Sequence, residues 1–393
     1  MRVIQINTVS GHGSTGRIAE NLSAVMEKHG IENAIFYGWY TSACKNAYQF
    51  GTKREGLAHK VGARLLGNHG MYSTQATKQL IGFLENYKPD VVHLHNLHGF
   101  YLNVEVLFEY LKKNKVAVVW TLHDCWPFTG HCAHFSFAGC EKWEAGCYHC
   151  PQRMAYPKML LDRSKKNWEE KQSIFTGLEN LTLVTPSQWL AELTRKSFLG
   201  EYPVKVIPNG IDLKVFSPGC TNGNEITKIV LASAKTLKNG DRKGGKYLLE
   251  LARILGSEYQ VNVLGLREHR KRNWPPNLIS LPYVSDQKKL AEIYSKSDVF
   301  VNPTLEDNFP TVNLEALACG TPVITFDTGG SPESITTQCG AVVPQGDVTM
   351  MAQEVKQWCQ CDCAGKCCEQ AEKYESNKRY GEYIELYKQM TGE

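Results

Sequence analysis

Two series of short apolar runs, separated within each series by longer segments of helical period, constrain the fold of this chain most. Apolar runs of about four to eight residues are typical of strands buried in a parallel sheet that helices cover on both faces. The first series extends from Val3 to Thr185, and the second begins at Lys228 and ends at Val343. The pattern predicts an α/β protein with two Rossmann-like, doubly wound domains.

The same pattern predicts the individual elements. In the first series we expect strands at residues 3–7, 33–37, 89–95, 116–122 and 181–185, and helices at about 16–29 and 74–86. In the second series we expect strands at residues 228–234, 259–265, 278–283, 299–303, 322–326 and 340–343. One further helical pattern, at about residues 369–390, follows the last strand.

The predicted domains are residues 1–212, with a Cys-rich insertion at about 125–151, and residues 226–370. A segment rich in Gly, Pro and Asn, residues 217–225, predicts the hinge between them. A C-terminal helix, residues 371–393, is expected either to close the second domain or to cross back to the first. The 393 residues suffice for two cores, because domains average roughly 150 residues.

Charge and hydropathy exclude several classes of protein. The chain has 44 Lys and Arg against 40 Asp and Glu, a net charge of +4, which predicts no nucleic-acid partner. Its apolar runs are far shorter than the roughly 18 residues that span a bilayer. The apolar part of the N-terminus is too short for a secretory signal and is patterned as a strand. We therefore expect a cytoplasmic protein with reduced cysteines.

A glycine-rich turn joins the first predicted strand to the first helix. Gly11, Gly13 and Gly16 match the letters of the dinucleotide fingerprint. However, the second strand ends without a carboxylate to bind a ribose, which argues against a nicotinamide cofactor. Two interpretations remain: the backbone N–H groups bind a phosphate or an acceptor, or the turn is purely structural.

Two carboxylates stand at the end of a strand in the second half. Asp307 lies in the loop after the strand at 299–303, and Glu315 lies eight residues later in the following helix. Doubly wound sheets bind ligands at this edge, so both residues are candidate ligand contacts. The alternative is that an acid early in a helix only complements the helix dipole.

The stretch Glu306-Asp-Asn-Phe-Pro-Thr-Val-Asn-Leu-Glu-Ala-Leu-Ala-Cys-Gly-Thr-Pro resembles the signature of glycosyltransferase family 4, whose members have the GT-B fold. The resemblance implies two Rossmann-like domains that face a cleft. It also implies that Glu315 holds the ribose hydroxyls of a nucleotide-sugar donor. Asp307 would face the donor sugar and diphosphate, although the family usually has Glu at its position. The implied backbone contacts are Asn308, Phe309, Pro310 and Thr311.

Further matches to the family extend along the chain. The loop Lys235-Thr-Leu-Lys-Asn-Gly-Asp-Arg-Lys-Gly resembles the segment whose basic pair binds the diphosphate. Lys243 aligns best with one member of that pair, and Lys235 or Arg242 is the candidate for the other. In the first half, Trp120-Thr-Leu-His-Asp resembles the strand-end His-Asp of these enzymes. This resemblance makes His123 a candidate catalytic residue and His95 a candidate ligand contact.

Four cysteines within the insertion have the spacing C-x7-C-x6-C-x2-C. Cys132, Cys140, Cys147 and Cys150 could bind one structural zinc ion tetrahedrally. Reduced buried thiols, a disulfide or an iron–sulfur cluster are the alternatives, and a second cysteine group at residues 359–368 receives no role. This insertion resembles that of bacterial family 4 enzymes that make capsular and extracellular polysaccharides.

The resemblance implies a retaining glycosyltransferase that transfers a hexose from a UDP- or GDP-sugar to a glycan or lipid-linked oligosaccharide. No cofactor is expected for catalysis, and the chain contains no Asp-x-Asp metal motif. Alternatives are a GT-B sugar-nucleotide epimerase or phosphorylase, and a non-catalytic nucleotide-sugar binder. Residues 53–64 interleave basic and apolar side chains, so peripheral membrane contact and a solvated helix are both open.

Overall fold

A computed structural model describes residues 1–219, 227–268 and 270–393 of the chain. The protein forms two compact units, one of Met1–Pro208 with Arg379–Glu393 and the other of Asn209–Lys378. Each unit contains a parallel sheet with helices, as the two series of apolar runs predict. Residues 220–225 of the predicted hinge lie outside the described residues.

The sheet of the first unit has seven strands within residues 1–208, all of which are described. Its order is β3-β2-β1-β4-β5-β6-β7, and every pairing is parallel. The strands are β1 (Arg2–Val9), β2 (Glu32–Trp39), β3 (Ala47–Gln49), β4 (Val91–Leu94), β5 (Ala117–Thr121), β6 (Leu181–Thr185) and β7 (Val204–Val206). The helices are α1 (Gly13–Lys28), α2 (Lys53–Leu66), α3 (Thr74–Tyr87), α4 (Val104–Asn114), α5 (Ser164–Phe175) and α6 (Gln188–Lys196).

The alternation of side chains along β1 builds a core on each face of this sheet. Ile4 and Ile6 pack with Leu94 and Trp120 on one face. Val3 packs on the other face with apolar residues of α1 and of the C-terminal helix. Because both faces are covered, β4, β5 and β6 are buried along their whole length, which explains their continuous apolar runs.

The Cys-rich insertion follows β5 and contains only short 3-10 helices before α5. They are Trp126–Phe128, Ser136–Ala138 and Lys142–Glu144. An aromatic cluster packs within this segment, because Phe128, Phe135 and Trp143 have ring centroids 4.9 to 6.4 Å apart. A further 3-10 helix, Phe198–Glu201, follows α6.

The sheet of the second unit has the order β10-β9-β8-β11-β12-β13 over its described residues and is also parallel. Its strands are β8 (Lys228–Ser233), β9 (Tyr259–Leu264), β10 (Leu278–Leu281), β11 (Val299–Asn302), β12 (Val323–Phe326) and β13 (Gly340–Val343). Its helices are α7 (Gly245–Leu255), α8 (Gln287–Ser295), α9 (Thr311–Ala318), α10 (Val348–Trp358) and α11 (Ala364–Glu372), with a 3-10 helix at Pro332–Ser334. Because β8, β11 and β12 are neighbours, the loops that follow them meet at one edge.

The sequence predicts one helix over residues 369–390, and this prediction is wrong. The helical segment breaks after α11 and resumes as α12 (Ser376–Thr391). The main chain between them pairs with Ile211, whose N–H donates to the Tyr374 carbonyl (2.8 Å) and whose carbonyl accepts from the Ser376 N–H (2.9 Å). Glu375 then accepts the Lys378 N–H (2.9 Å) and caps the start of α12.

The C-terminal helix α12 completes the core of the first unit. Tyr380, Tyr383, Ile384 and Tyr387 are buried in the same cluster as Val3 and its neighbours. A helix with an apolar face of this size is stabilised mainly by such packing. The residues from Arg379 onward therefore belong to the first unit although they follow the second in the chain.

Candidate functional site

The loop that follows β8 and the loop that follows β11 are joined directly at the edge of the second sheet. The Leu305 N–H donates to the Arg242 carbonyl (2.7 Å), and the Arg242 guanidinium donates through Nη1 to the Glu306 carbonyl (2.9 Å). Gly244 permits this approach, because its φ is +69° and a Cβ atom there would collide with the Pro303 carbonyl. The basic and acidic segments of the sequence therefore form one structure.

Lys243 and Asp307 form an ion pair across these two loops. The Lys243 side chain is 37% exposed and the Asp307 side chain 17%, so the pair is accessible from solvent. An ion pair at an accessible site can be exchanged for a stronger interaction when an anion binds. The geometry thus presents a positioned ammonium group at the sheet edge where ligands bind doubly wound domains.

A third loop, which follows β12, holds the backbone of Asp307 through a hydrogen bond. The Gly330 N–H donates to the Asp307 carbonyl (2.9 Å), and the Thr328 hydroxyl donates to the Thr304 carbonyl (2.6 Å). Gly329 has a φ of +56°, and a Cβ atom there would collide with the same Asp307 carbonyl. This loop was not among the predicted site segments, although two adjacent glycines after a strand, Gly329 and Gly330, were a usable signal.

The start of α9 follows Asp307 within the same loop. Pro310 is the N-cap residue before the first helical residue, Thr311, and its ring has no acceptor for the N–H groups of the first turn. Asn308 and Phe309 are buried, and the Phe309 carbonyl accepts from the Asn209 amide (3.1 Å). The N-terminal N–H groups of a helix carry partial positive charge, so this helix start adds to the positive character around Lys243.

Glu315 lies inside α9 and is only 5% exposed. The Tyr294 hydroxyl donates to its Oε2 atom (3.2 Å). Two residues earlier, Asn313 fixes the helix to β11, because the Asn302 amide donates to its side-chain oxygen (2.9 Å). Tyr294 and Asn313 are polar contacts that the sequence analysis did not single out.

The two candidates for a second cation differ in position. Lys235 is exposed directly after β8, where its carbonyl accepts from the Arg267 N–H (3.1 Å). Arg242 is partly buried and bound to the Glu306 carbonyl. Arg242 therefore supports the loop that carries Asp307, whereas Lys235 extends into solvent.

The glycine-rich turn of the first unit closes on itself and on a carboxylate. The Gly11 N–H donates to the Gly16 carbonyl (3.2 Å). Glu20 lies against Gly11 and accepts from the hydroxyls of Ser10 (2.8 Å) and Ser42 (2.7 Å). This negative charge disfavours a phosphate at Gly11, while Gly13 begins α1 next to open space. Among the described residues, no atom lies within 4 Å of a Cβ built at Gly13, so this end of the turn is the more open one.

Three histidines stack at the ends of β4 and β5. His93 and His95 have ring centroids 4.1 Å apart, and His95 and His123 have centroids 5.3 Å apart. His95 is 1% exposed, so it does not itself contact solvent, and it reaches the surface only through its 3.0 Å hydrogen bond to His123. Burial lowers the pKa of His123 to about 4 and that of His95 well below its usual value.

A buried, hydrogen-bonded pair of side chains, Asp124 and His98, lies beside His123. The Asp124 carboxylate is 2.6 Å from Nε2 of His98 and also accepts the Trp126 N–H (2.9 Å). Burial acts to raise the pKa of Asp124, but the electrostatic interaction and the hydrogen bond with His98 outweigh this effect and lower that pKa to about 2. His98 is thus a second polar residue that sequence reasoning passed over.

Comparisons with known proteins bear directly on this arrangement. The family model Glycosyltransferase Family 4 matches residues 15–215, about half of the chain, and the model Glycosyl transferases group 1 matches residues 224–381. The chain belongs to glycosyltransferase family 4.

Two further comparisons place this family 4 protein among known relatives. It is 25% identical over 372 residues to a colanic acid biosynthesis glycosyl transferase, WcaC of Escherichia coli (strain K12), with 90% of each chain covered. Among solved structures, sucrose-phosphate synthase from Thermosynechococcus elongatus superposes with a TM-score of 0.71 at 15% identity, covering 100% of this chain and 99% of that one. Anabaena HepE in complex with UDP-glucose gives a TM-score of 0.65 at 13% identity, covering 98% and 100%. The fold is GT-B.

The four cysteines of the insertion in this glycosyltransferase line one small cavity. The Sγ atoms of Cys132 and Cys150 are 3.8 Å apart, and the Gly130 N–H donates to Cys147 Sγ (3.2 Å). Burial raises the pKa of the Cys147 thiol to about 11. Within the described residues, no group of three or more His, Cys, Asp or Glu is already arranged as metal ligands. The zinc site remains a prediction.

Residues 53–64, whose basic and apolar side chains are interleaved in the sequence, lie in helix α2. Leu57, Val61 and Leu65 follow one another on one face and are each about half exposed. No helix in the described part of this glycosyltransferase is both long and apolar enough to cross a bilayer.

Proposed function

We propose that this protein is a retaining glycosyltransferase that transfers a hexose from a UDP- or GDP-sugar to a hydroxyl group of a growing polysaccharide. Family membership supports the transferase chemistry. The name of the relative WcaC, which refers to colanic acid biosynthesis, supports an extracellular polysaccharide as the product. The complex of Anabaena HepE with UDP-glucose supports a nucleotide-sugar donor.

The observation that carries the proposal is the convergence of three groups at one edge of the second sheet. Lys243 supplies a positioned cation, the start of α9 supplies backbone N–H groups, and Glu315 supplies a buried carboxylate. A nucleoside diphosphate needs these groups, because its diphosphate is anionic and its ribose presents two hydroxyl donors. The donor diphosphate would take over the interaction that Lys243 now makes with Asp307.

The proposed reaction uses these groups to stabilise the leaving group. The bond between the anomeric carbon and the diphosphate oxygen breaks, and the acceptor oxygen forms a new bond to the same carbon on the same face. The acceptor proton passes to the departing diphosphate. Lys243 and the helix N-terminus offset the negative charge that develops there, so this site supplies catalysis through fixed electrostatics. Asp307 is left next to the sugar.

The acceptor is proposed to be a glycan or a lipid-linked oligosaccharide. Exposed apolar side chains of α2 continue into the segment 154–161, whose Leu160 N–H donates to the Arg64 carbonyl (2.7 Å). We call the exposed residues Leu57, Val61, Leu65, Leu160 and Leu161 the α2 patch. Lys53, Arg54, Lys60, Arg64 and Lys158 surround it and are also exposed. Apolar side chains ringed by positive charge are suited to an anionic membrane surface, where a lipid-linked acceptor is held.

One set of measurements tests the function. Calorimetric titration with UDP, GDP and ADP should show one nucleotide bound more tightly than the others. Incubation with sugars of that nucleotide should then release the free nucleotide and glycosylate an added glycan or lipid-linked acceptor with retained anomeric configuration. Interconversion of sugar nucleotides without an acceptor would instead indicate an epimerase, and a requirement for inorganic phosphate a phosphorylase. Binding without any turnover would indicate a non-catalytic binder and refute the proposal.

A further inference from the structure

A continuous chain of hydrogen bonds runs from the backbone of α1 to His123. The Gln5 amide group donates through Nε2 to the Ala19 carbonyl (3.0 Å). Its Oε1 atom lies 3.0 Å from Nε2 of His95, and Nδ1 of His95 lies 3.0 Å from Nε2 of His123. Gln5 and His95 are 0% and 1% exposed, so no solvent competes for these bonds.

The strand register of the first sheet explains why these residues meet. Gln5 lies on β1 opposite His93 of β4, and Leu94 of β4 lies opposite Trp120 of β5. His95 therefore leaves β4 between the ends of its two neighbours. The Trp120 indole donates to the His95 carbonyl (3.0 Å), which fixes the backbone beneath the ring.

The direction of the chain follows from the chemistry of its ends. A carbonyl oxygen only accepts, so the Gln5 amide nitrogen faces Ala19 and its oxygen faces His95. Nε2 of His95 must then carry a hydrogen. A neutral imidazole has one N–H, so Nδ1 of His95 accepts and Nε2 of His123 donates. The one remaining nitrogen of His123, Nδ1, keeps its lone pair.

Neighbouring groups do not alter this assignment. The pKa values of His95 and His123 are lowered by burial, that of His123 to about 4, so both rings are neutral near pH 7. Asp124 follows His123 in sequence and accepts from His98 and from the Trp126 N–H, and among the described residues it makes no hydrogen bond with His123. His93 is separately engaged by the Tyr387 hydroxyl (2.6 Å) and the Thr121 hydroxyl (2.8 Å). Among the described residues, Nδ1 of His123 has no hydrogen-bond partner.

We propose that Gln5 and His95 are positioning residues that hold His123 in its Nε2–H form, so that Nδ1 accepts a hydrogen bond from a substrate hydroxyl. His123 then binds a hydroxyl group and does not donate to a phosphate. The hydroxyl-bearing substrate rests on the proposed glycosyl transfer, whereas the proton arrangement does not. A glutamine within a buried strand thus determines which kind of group the strand end can bind.

The proton arrangement can be measured in the free protein. Long-range 1H–15N NMR of protein labelled at histidine distinguishes a protonated ring nitrogen from an unprotonated one. We expect Nδ1 of His123 to be unprotonated and Nε2 to be protonated near pH 7. Gln5→Met removes the acceptor for His95 but keeps an unbranched side chain, so both tautomers of His95 and His123 should become populated. Gln49→Met, at an exposed glutamine of β3, is the matched control and should leave the spectrum of His123 unchanged.

Turnover of UDP- and GDP-sugars gives the second readout. If His123 accepts from a hydroxyl, His123→Ala should lower kcat/KM by roughly tenfold, the cost of about one such bond. Gln5→Met should lower it by a few-fold in protein whose far-UV circular dichroism shows that it is still folded, and Gln49→Met should not lower it. A protonated Nδ1 in the wild-type protein, or wild-type kinetics in Gln5→Met, would overturn the proposal. A wild-type protein without turnover would refute the glycosyltransferase proposal instead, and the NMR result would still decide the proton arrangement.

Discussion

The ammonium group of Lys243 is paired with the carboxylate of Asp307, and this pair joins the loop after β8 to the loop after β11. The two residues are 64 positions apart in the sequence. Each residue was a separate candidate for the donor site in the sequence, and the fold brings the two side chains into contact. A substitution of either residue therefore removes the charged partner of the other.

Lys243→Ala should lower kcat/KM by about 100-fold or more, because it removes a cation from the departing diphosphate. The exposed fraction of the Lys243 side chain limits its effect on folding, so the free energy of unfolding should change by no more than about 1 kcal/mol. Steady-state kinetics and urea unfolding measure the two quantities. Lys238→Ala, an exposed lysine of the same loop, is the control. Equal kinetics for the two variants would remove Lys243 from the diphosphate site.

Glu315→Gln should weaken nucleotide binding, since a neutral amide is a poorer acceptor for ribose hydroxyls than a carboxylate. We expect a loss of roughly 1 to 3 kcal/mol in calorimetric titrations. The amide keeps an oxygen that accepts from the Tyr294 hydroxyl, so the fold should be preserved better than in Glu315→Ala. Glu292→Gln, at an exposed position on α8, should bind as the wild type does. Unchanged affinity in the Glu315 variant would exclude the ribose contact.

Acid should destabilise the protein through the buried histidines of the first unit. The pKa of His123 is lowered to about 4 and that of His59 to about 3, mainly by burial, against about 6.5 in an unfolded chain. The unfolded state therefore binds more protons below about pH 6.5. The free energy of unfolding should fall as the pH decreases from about 6.5 to 4, by about 1.4 kcal/mol per pH unit for each proton taken up.

Urea unfolding at several pH values, followed by tryptophan fluorescence, measures this dependence. His59→Gln should reduce the slope, because it removes one of the groups that gain a proton on unfolding. His29→Gln, at an exposed position, should leave the slope as it is. A free energy of unfolding that stays constant between pH 7 and pH 4.5 would contradict the prediction.

The cysteine cavity predicts zinc in the purified protein. The 3.8 Å between the sulfurs of Cys132 and Cys150 equals the edge of a tetrahedron with metal–sulfur bonds of about 2.3 Å. We expect about one zinc ion per chain by elemental analysis and its loss in Cys132→Ser. Cys361→Ser, at an exposed cysteine outside the insertion, should retain the metal. Protein prepared without chelators and free of zinc would show that the four residues are buried thiols.

The α2 patch predicts binding to anionic membranes. Leu57→Ser combined with Leu65→Ser should reduce sedimentation with vesicles of phosphatidylglycerol and phosphatidylcholine several-fold. The double variant has two fewer apolar side chains to insert into the bilayer interface. Ile254→Ser, at an exposed apolar position of the second unit, is the control. Raising the salt concentration should weaken binding of the wild type, because the basic residues around the patch are exposed. No sedimentation of the wild type at low salt would exclude this role.

Much of the fold was readable from local pattern. The strand predicted at residues 181–185 is β6 itself, and the segment predicted at 340–343 is β13, because short buried strands leave uninterrupted apolar runs. The break between α11 and α12 was not readable. It depends on Ile211, a residue more than 150 positions earlier whose backbone pairs with residues 374–376. A helical period carries no information about such a distant backbone partner.

The residues of the candidate sites likewise fall into those that could be predicted from the sequence and those that could not. Glu315, Asp307 and Lys243 carry charge in a recognisable sequence context, so they could be selected from sequence. Gln5 could not, since a single glutamine in a buried strand has neither charge nor motif and acquires its role only through its contacts with Ala19 and His95. Residues that orient others are defined by geometry, which a linear pattern does not contain.

The assignment of Arg379–Glu393 to the first unit has a consequence for biogenesis. During synthesis Met1–Pro208 emerges from the ribosome early, but Tyr380, Tyr383 and Tyr387 emerge only after the whole second unit has been translated. Until then the sheet face around Val3 and Val91 is not packed against α12, and the nascent chain exposes this hydrophobic surface to solvent. Maturation of the amino-terminal half therefore waits until the second unit and residues 379–393 have been synthesised.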